Sequence, residues 1–187
     1  LNTTQDRHRL RVRARLGLSA TADENWSAGV RLTTGNTTDP VSSNQTLGVY
    51  NNRFTAAFDR AYIRWRVGDH FNAIGGRFGN PWFGTDLVWA NDLSFDGVAV
   101  QWTPRIAADT RGWLTLAALP LQEVELSTSD KGLLGVQLGL DAARLAGNSQ
   151  LKFGLGYYRY AHITGQVSAA GSSLNEYTAP AFAQKGN

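Results

Sequence analysis

Residues 7–18 read RHRLRVRARLGL, with arginine at every odd position from 9 to 15 and Leu, Val, Ala, Leu and Leu at the even positions from 10 to 18. On a helix, steps of two residues turn through about 200°, so Arg9, Arg11, Arg13 and Arg15 would spread around the axis and leave no apolar stripe. On a strand the same spacing puts all four on one face and Leu10, Val12, Ala14, Leu16 and Leu18 on the other. The segment is a strand, with one apolar face and one arginine face.

The alternation recurs along the chain. Trp26, Ala28, Val30 and Leu32 oppose Ser27, Gly29, Arg31 and Thr33, and Ala61, Ile63, Trp65 and Val67 oppose Arg60, Tyr62, Arg64 and Arg66. Ile74 and Phe78 alternate with Arg77, and Leu134, Val136, Leu138 and Leu140 with Gly135, Gln137, Gly139 and Asp141. Leu151, Phe153, Leu155 and Tyr157 oppose Lys152, Gly154, Gly156 and Tyr158, whereas the parity of WLTLAALPL (113–121) is not fixed by its pattern. The spacing predicts an all-β fold: an antiparallel up-and-down meander of about eight strands. They lie near 7–20, 26–35, 58–67, 71–78, 95–102, 112–120, 133–141 and 150–161.

The connections between these strands alternate in length. Those at 21–25, 68–70, 103–111 and 142–149 are mostly short, and those at 34–57, 79–94, 120–131 and 162 onward mostly longer. One rim of the sheet therefore has turns and the other has loops. Trp26, Trp65, Phe71, Trp102 and Trp113 gather at the short-turn rim, which is how an aromatic belt at a membrane interface is distributed.

Composition limits the environment. Hydrophobic residues make up 42% and charged residues 18%, with 20 Gly, 5 Pro and no Cys, so neither disulfides nor thiolate metal sites are available. No apolar run reaches the length of a membrane helix. Residues 1–77 hold eleven Arg, no Lys and six acids, and the excess arginine sits in predicted strands rather than in a tail. A water-soluble sandwich or lipocalin-like barrel would explain alternation alone. It would not explain the tryptophan band, the alternating connection lengths or strands of about 9–12 residues, the length that crosses a bilayer at a tilt. A transmembrane barrel explains all three, with apolar residues toward lipid and arginines toward the lumen. A one-residue register slip would place four arginines in hydrocarbon, at roughly 2–4 kcal/mol each near the midplane.

By this parity nine arginines (9, 11, 13, 15, 31, 60, 64, 66 and 77) face few inward acids, Asp141 and Asp59. A closed eight-strand interior would bury those charges unpaired, whereas a water-filled lumen solvates them. The strands are therefore read as one barrel domain, or a fragment of a wider barrel, over residues 1–187.

The wording of DRAYIRW (59–65) and GGRFGNPWFGTDLVW (75–89), with RLRVRARLGLSATADENWSAGVRLTTGN (9–36), resembles the bacterial "putative porin" family of Gram-negative outer-membrane proteins. The match covers most of residues 7–102, and beyond 103 it is mainly one of pattern. The resemblance implies a large antiparallel barrel in outer-membrane lipid, passing small hydrophilic solutes, and an oligomer, with a trimer the expected form. Against that pattern the sequence lacks a leader and ends in AQKGN rather than on an aromatic, so it is read as roughly half a porin.

Two groups of residues carry the expected chemistry. Arg9, Arg11, Arg13, Arg15, Arg31, Arg60, Arg64, Arg66 and Arg77, with Tyr62, form a pore-lining wall that would concentrate anions, since guanidinium charge does not titrate away and forks onto carboxylate or phosphate. The segment NPWFGTDLVWAND (80–92) is too aromatic for a loop in open water, so Trp82, Asp86, Trp89 and Asp92 are candidates for a constriction folded into the pore, or for packing at its outer rim. His8, His70 and His162 lack metal-ligand spacing, and no nucleophile, phosphate-loop or zinc-protease motif is present, which argues against an enzyme and against a cofactor. A small closed barrel serving as adhesin or anchor, and a soluble arginine-faced sheet that binds nucleic acid, are the alternatives. Nucleic acid is not an expected partner, because tyrosines 62 and 158 alone offer inward stacking surfaces among the arginines.

Overall fold

The structure is a computed structural model and describes residues 8–85, 87–126, 128–145 and 149–163. In chain order the strands are β1 (Arg11–Val12), β2 (Arg15–Thr21), β3 (Trp26–Thr34), β4 (Gln45–Thr46), β5 (Ala56–Val67), β6 (Phe71–Gly79), β7 (Ser94–Trp102), β8 (Arg105–Ala107), β9 (Thr110–Gln122), β10 (Lys131–Leu145) and β11 (Ser149–Ala161). Among the described residues there is no helix.

The long strands form one antiparallel meander in the order β2-β3-β5-β6-β7-β9-β10-β11, with β8 added against β9. Its outermost strands, β2 and β11, are not paired with each other. Tight turns join β2 to β3 and β5 to β6. Longer segments join β3 to β5, β6 to β7 and β9 to β10, so the two rims differ as the connection lengths predict.

The segment expected as one strand over 7–20 is divided. β2 begins at Arg15 because β3 ends at Thr34 and offers its last pairing at Arg15↔Thr33. Upstream, the long β3–β5 connection doubles back, and its β4 pairs with β1 through Arg11↔Thr46 and Val12↔Gln45 in a separate two-stranded sheet.

Register fixes what each face carries. One cross-strand row reads Trp26–Trp65–Ala73–Val100–Leu116–Val136–Tyr157 through seven strands, all apolar or aromatic. Its neighbours include Ile63, Val98, Leu134, Leu138, Leu155 and Phe153, all exposed. A row on the opposite face reads Arg66–Asn72–Gln101–Thr115–Gln137–Gly156. Fully burying one large aliphatic side chain is worth about 1.5–3 kcal/mol, so an exposed row of this size needs an apolar environment.

The buried core lies on the arginine face. Ile74, Phe78, Phe95, Ala99, Ala117, Leu119 and Leu133 cluster there with Trp82 of the 80–93 loop, and Phe78 and Leu133 are each 1% exposed. Ile74 and Phe78 do alternate with Arg77. They face the arginine side, however, because Ile74 is the cross-strand partner of Arg64, and the loop then covers them; Arg77 pairs instead with Ala61, so the register does not place it in the arginine row.

β6 and β7 reach this core through a paired kink. Gly76 and Gly97 are cross-strand partners with φ of +111° and +130°. A Cβ at Gly97 would stand 2.3 Å from the Ala118 carbonyl oxygen, so no side chain fits there.

Candidate functional site

The loop joining β6 to β7 folds back across the arginine face. Its base is closed by the Asn80 amide donating to the Leu93 carbonyl at 3.2 Å. Two glutamines of the polar row then hold its backbone. The Phe83 amide donates to Gln137 Oε1 at 2.8 Å, and Gln137 Nε2 donates to the Phe83 carbonyl at 2.6 Å. Gln101 Nε2 donates to the Pro81 carbonyl at 3.0 Å, and its Oε1 accepts from Asn72 Nδ2 at 3.0 Å.

Glycines on the sheet make seats for the loop's rings. A Cβ at Gly135 would lie 2.6 Å from the Trp82 ring, and one at Gly154 3.1 Å from Phe83. Trp82 meets Tyr158 edge-on with centroids 5.1 Å apart, Phe83 meets Trp113 at 5.3 Å, and Trp89 meets Phe95 at 5.6 Å and Tyr158 at 5.4 Å. Such pairs add about 0.5–1.5 kcal/mol beyond the area they bury. Trp82 and Trp89 therefore pack against the arginine face and not at an outer rim. Asp86 lies outside the described residues.

Trp113 does not join the aromatic belt. Its register partner is Gly139, and it shares its face with Thr115, Ala117 and Leu119, so it stands under Phe83 on the loop side. Trp26, Trp65, Phe71 and Trp102 remain together at the short-turn rim: Trp26 stacks on Trp65 at 6.1 Å, Trp65 meets Phe71 at 5.7 Å, and Phe71 pairs with Trp102.

The arginines divide into two sets. Arg13 Nη1 and Arg15 Nη2 both bond Asp92 of the loop, at 2.7 and 2.8 Å, and Arg15 also reaches Ser43. Arg31 Nε donates to Asp59 Oδ2 at 2.6 Å, where a register shift after Arg31 gives β5 one extra residue and turns Asp59 toward it. Arg77 bonds its cross-strand partner Asp96 at 2.7 Å; its β5 partner is Ala61, so it stands apart from the other strand arginines. Arg60, Arg64 and Arg66 on β5, and Arg11 on β1, make no ion pair among the described residues. Arg9 precedes β1, outside any strand.

Burial pushes the Asp92 carboxyl up, but the hydrogen bond and charge of Arg15, with the charges of Arg13 and Arg31, outweigh it and leave it below the ordinary carboxylate value. Asp92 thus ties the end of the loop to the N-terminal strands as an ionised group.

Two cavities flank the loop on this face. One, of about 350 Å³, is lined by Arg60, Tyr62, Arg64, Asn72, Gln101 and Trp82, among others. The second, of about 380 Å³, lies between Trp82, Phe83, Trp113, Arg111, Asp141 and Lys152. Pro81, Trp82 and Gln101 are shared by both, so the loop is the partition. The sequence pointed to the arginines and to the loop. It gave no sign of Gln101 and Gln137 beyond their lying on the polar face of apolar strands, nor of the glycine seats, which look in sequence like any small residue.

A family model described as "Putative porin" matches residues 1–187 of the chain. A search among curated proteins finds no match.

Proposed function

The chain belongs to the putative-porin family, and from that premise we propose that its sheet is a stretch of outer-membrane barrel wall. The arginine face lines a water-filled channel for passive diffusion of small hydrophilic solutes, with a preference for anions. The observation that carries this reading is the contrast between the two faces. An apolar row crosses seven strands on the outside, and a row of Arg, Asn, Gln, Thr and Gln crosses five of them on the inside. That arrangement suits lipid on one side and water on the other. It suits a soluble nucleic-acid binder poorly, since such a protein would leave the apolar row in water.

The ion pairs refine the anion preference. Arg13 and Arg15 share Asp92 and Arg31 is paired with Asp59, so among the described strand arginines of this wall the charge without an ion-pair partner is that of Arg11 and, concentrated on β5, of Arg60, Arg64 and Arg66. Fixed cations of this kind raise the local anion concentration in a narrow aqueous path. The 80–93 loop narrows that path by lying across it. Bilayer recordings of Arg60→Gln, Arg64→Gln and Arg66→Gln together test this: anion preference falls sharply, whereas unchanged selectivity removes the β5 arginines from the role.

A further inference from the structure

We propose that the cavity between β5 and the loop is a saturable binding subsite for small polyhydroxylated carboxylates. The inference rests on the channel reading for its access route and goes beyond it in assigning a ligand.

Among the described residues that line it, the cavity holds two guanidinium groups and no acid. Arg60 lies across the backbone of Gly79, where a Cβ would meet its Cζ at 2.7 Å, so that glycine gives the side chain its berth. Arg64 is held 5.3 Å from the centroid of the Tyr62 ring. Neither has a carboxylate within ion-pairing distance among the described residues, although four other arginines of the sheet have one each or share one. Both guanidinium groups line the one recess, so an anion entering it meets positive charge from each. Planar guanidinium forks take a carboxylate through two parallel hydrogen bonds.

The rest of the lining selects what the carboxylate is attached to. Tyr62, Asn72, Asn80 and Gln101 bring hydroxyl and amide groups to the same recess, and Trp82 closes it. The amides are oriented: the Pro81 carbonyl fixes Gln101, and Gln101 fixes Asn72. Hydroxyl groups of a solute, which both donate and accept, match such a wall, and an indole ring suits the C–H face of a sugar chain. At about 350 Å³ the recess is at the lower end of small-molecule sites, which run from about 300 to 1,000 Å³. A simple inorganic anion would engage the arginines and leave the amide wall unused.

Two titrations of the protein folded in detergent test this. In planar bilayers carrying chloride current, gluconate is expected to reduce the current saturably. The double substitution Arg60→Gln with Arg64→Gln weakens that block by about tenfold or more, the loss expected for charge-assisted hydrogen bonds. Arg105→Gln, in β8 on the short-connection rim, leaves it unchanged. Independently of conductance, gluconate should change tryptophan fluorescence saturably, and Trp82→Phe should remove most of the change. Acetate, inorganic phosphate and glucose are the comparison probes. Block or binding by phosphate or acetate as tight as by gluconate overturns the polyhydroxylated assignment, and gluconate binding untouched by the double substitution overturns the location. A conducting protein that gluconate neither blocks nor changes in fluorescence overturns the subsite and leaves the channel. A silent protein whose fluorescence still reports arginine-dependent gluconate binding supports the subsite and removes the channel.

Discussion

Gln137 on β10 accepts from the backbone N–H of Phe83 and donates to its carbonyl, through hydrogen bonds 2.8 and 2.6 Å long, so a strand side chain pairs with the loop as a neighbouring strand would. Gln137 is buried, and the Phe83 amide and carbonyl need these partners once the loop lies on the sheet.

Gln137→Ala removes both bonds and leaves two backbone groups unsatisfied. Leaving a buried polar group unpaired costs about 1–3 kcal/mol. The variant should unfold at lower temperature in detergent and pass larger solutes in a liposome-swelling assay. A variant with unaltered unfolding and permeation would mean that the loop is held by its aromatic seats alone.

Those seats can be filled. Gly135→Val puts side-chain atoms where the Trp82 ring now lies, and overpacking of this kind costs about 1–3 kcal/mol. Gly17→Val is the matched control, because a Cβ there meets nothing nearer than 3.7 Å. Circular dichroism melts should separate the two, with Gly135→Val the less stable.

Asp92 gives the loop a pH dependence whose sign is fixed. Its carboxyl is held below its ordinary value, so the folded protein keeps it ionised after the unfolded chain has taken up a proton. Its contribution is complete above about pH 4, the ordinary aspartate value, and is lost as pH falls through the depressed one. Acidification should therefore loosen the loop from Arg13 and Arg15, and Asp92→Asn should reproduce that state at neutral pH. Single-channel conductance of Asp92→Asn that is higher at pH 7 and no longer rises on acidification is the expected result; a conductance equal to that of the parent at both pH values refutes the tether.

The strands, their antiparallel order and the contrast between rims were legible because each follows from period-2 patterning and connection length, which are local properties. Which face would be covered was not. Ile74 and Phe78 look in sequence like outer-face residues, and only the returning loop makes them core. Trp113 looks like a belt residue for the same reason: its rim position is local, but its side of the sheet depends on WLTLAALPL, whose two parities are both apolar. The run of arginines at 9–15 reads as one uninterrupted strand, yet pairing needs a neighbour, and β3 supplies one only as far as Arg15. A loop folded into the pore is expected to bring Asp92 opposite the arginines, and it does; that Arg13 and Arg15 are the ones it meets, across 77 or more residues of chain, is a pairing that no spacing rule contains.

If the loop partitions the lumen, its removal should widen the path. Deletion of residues 84–91 is expected to raise conductance severalfold and to abolish the effect of Gln137→Ala on permeation. Unchanged conductance would place the narrowest point of the channel elsewhere.

The most direct measurement is single-channel recording of the detergent-folded protein in a planar bilayer under a potassium chloride gradient. The account predicts an open, conducting channel whose reversal potential lies on the chloride side, and which moves toward zero when Arg60, Arg64 and Arg66 are replaced by glutamine. Silence from correctly inserted protein would contradict the channel, and a reversal potential on the potassium side would contradict the arginine wall.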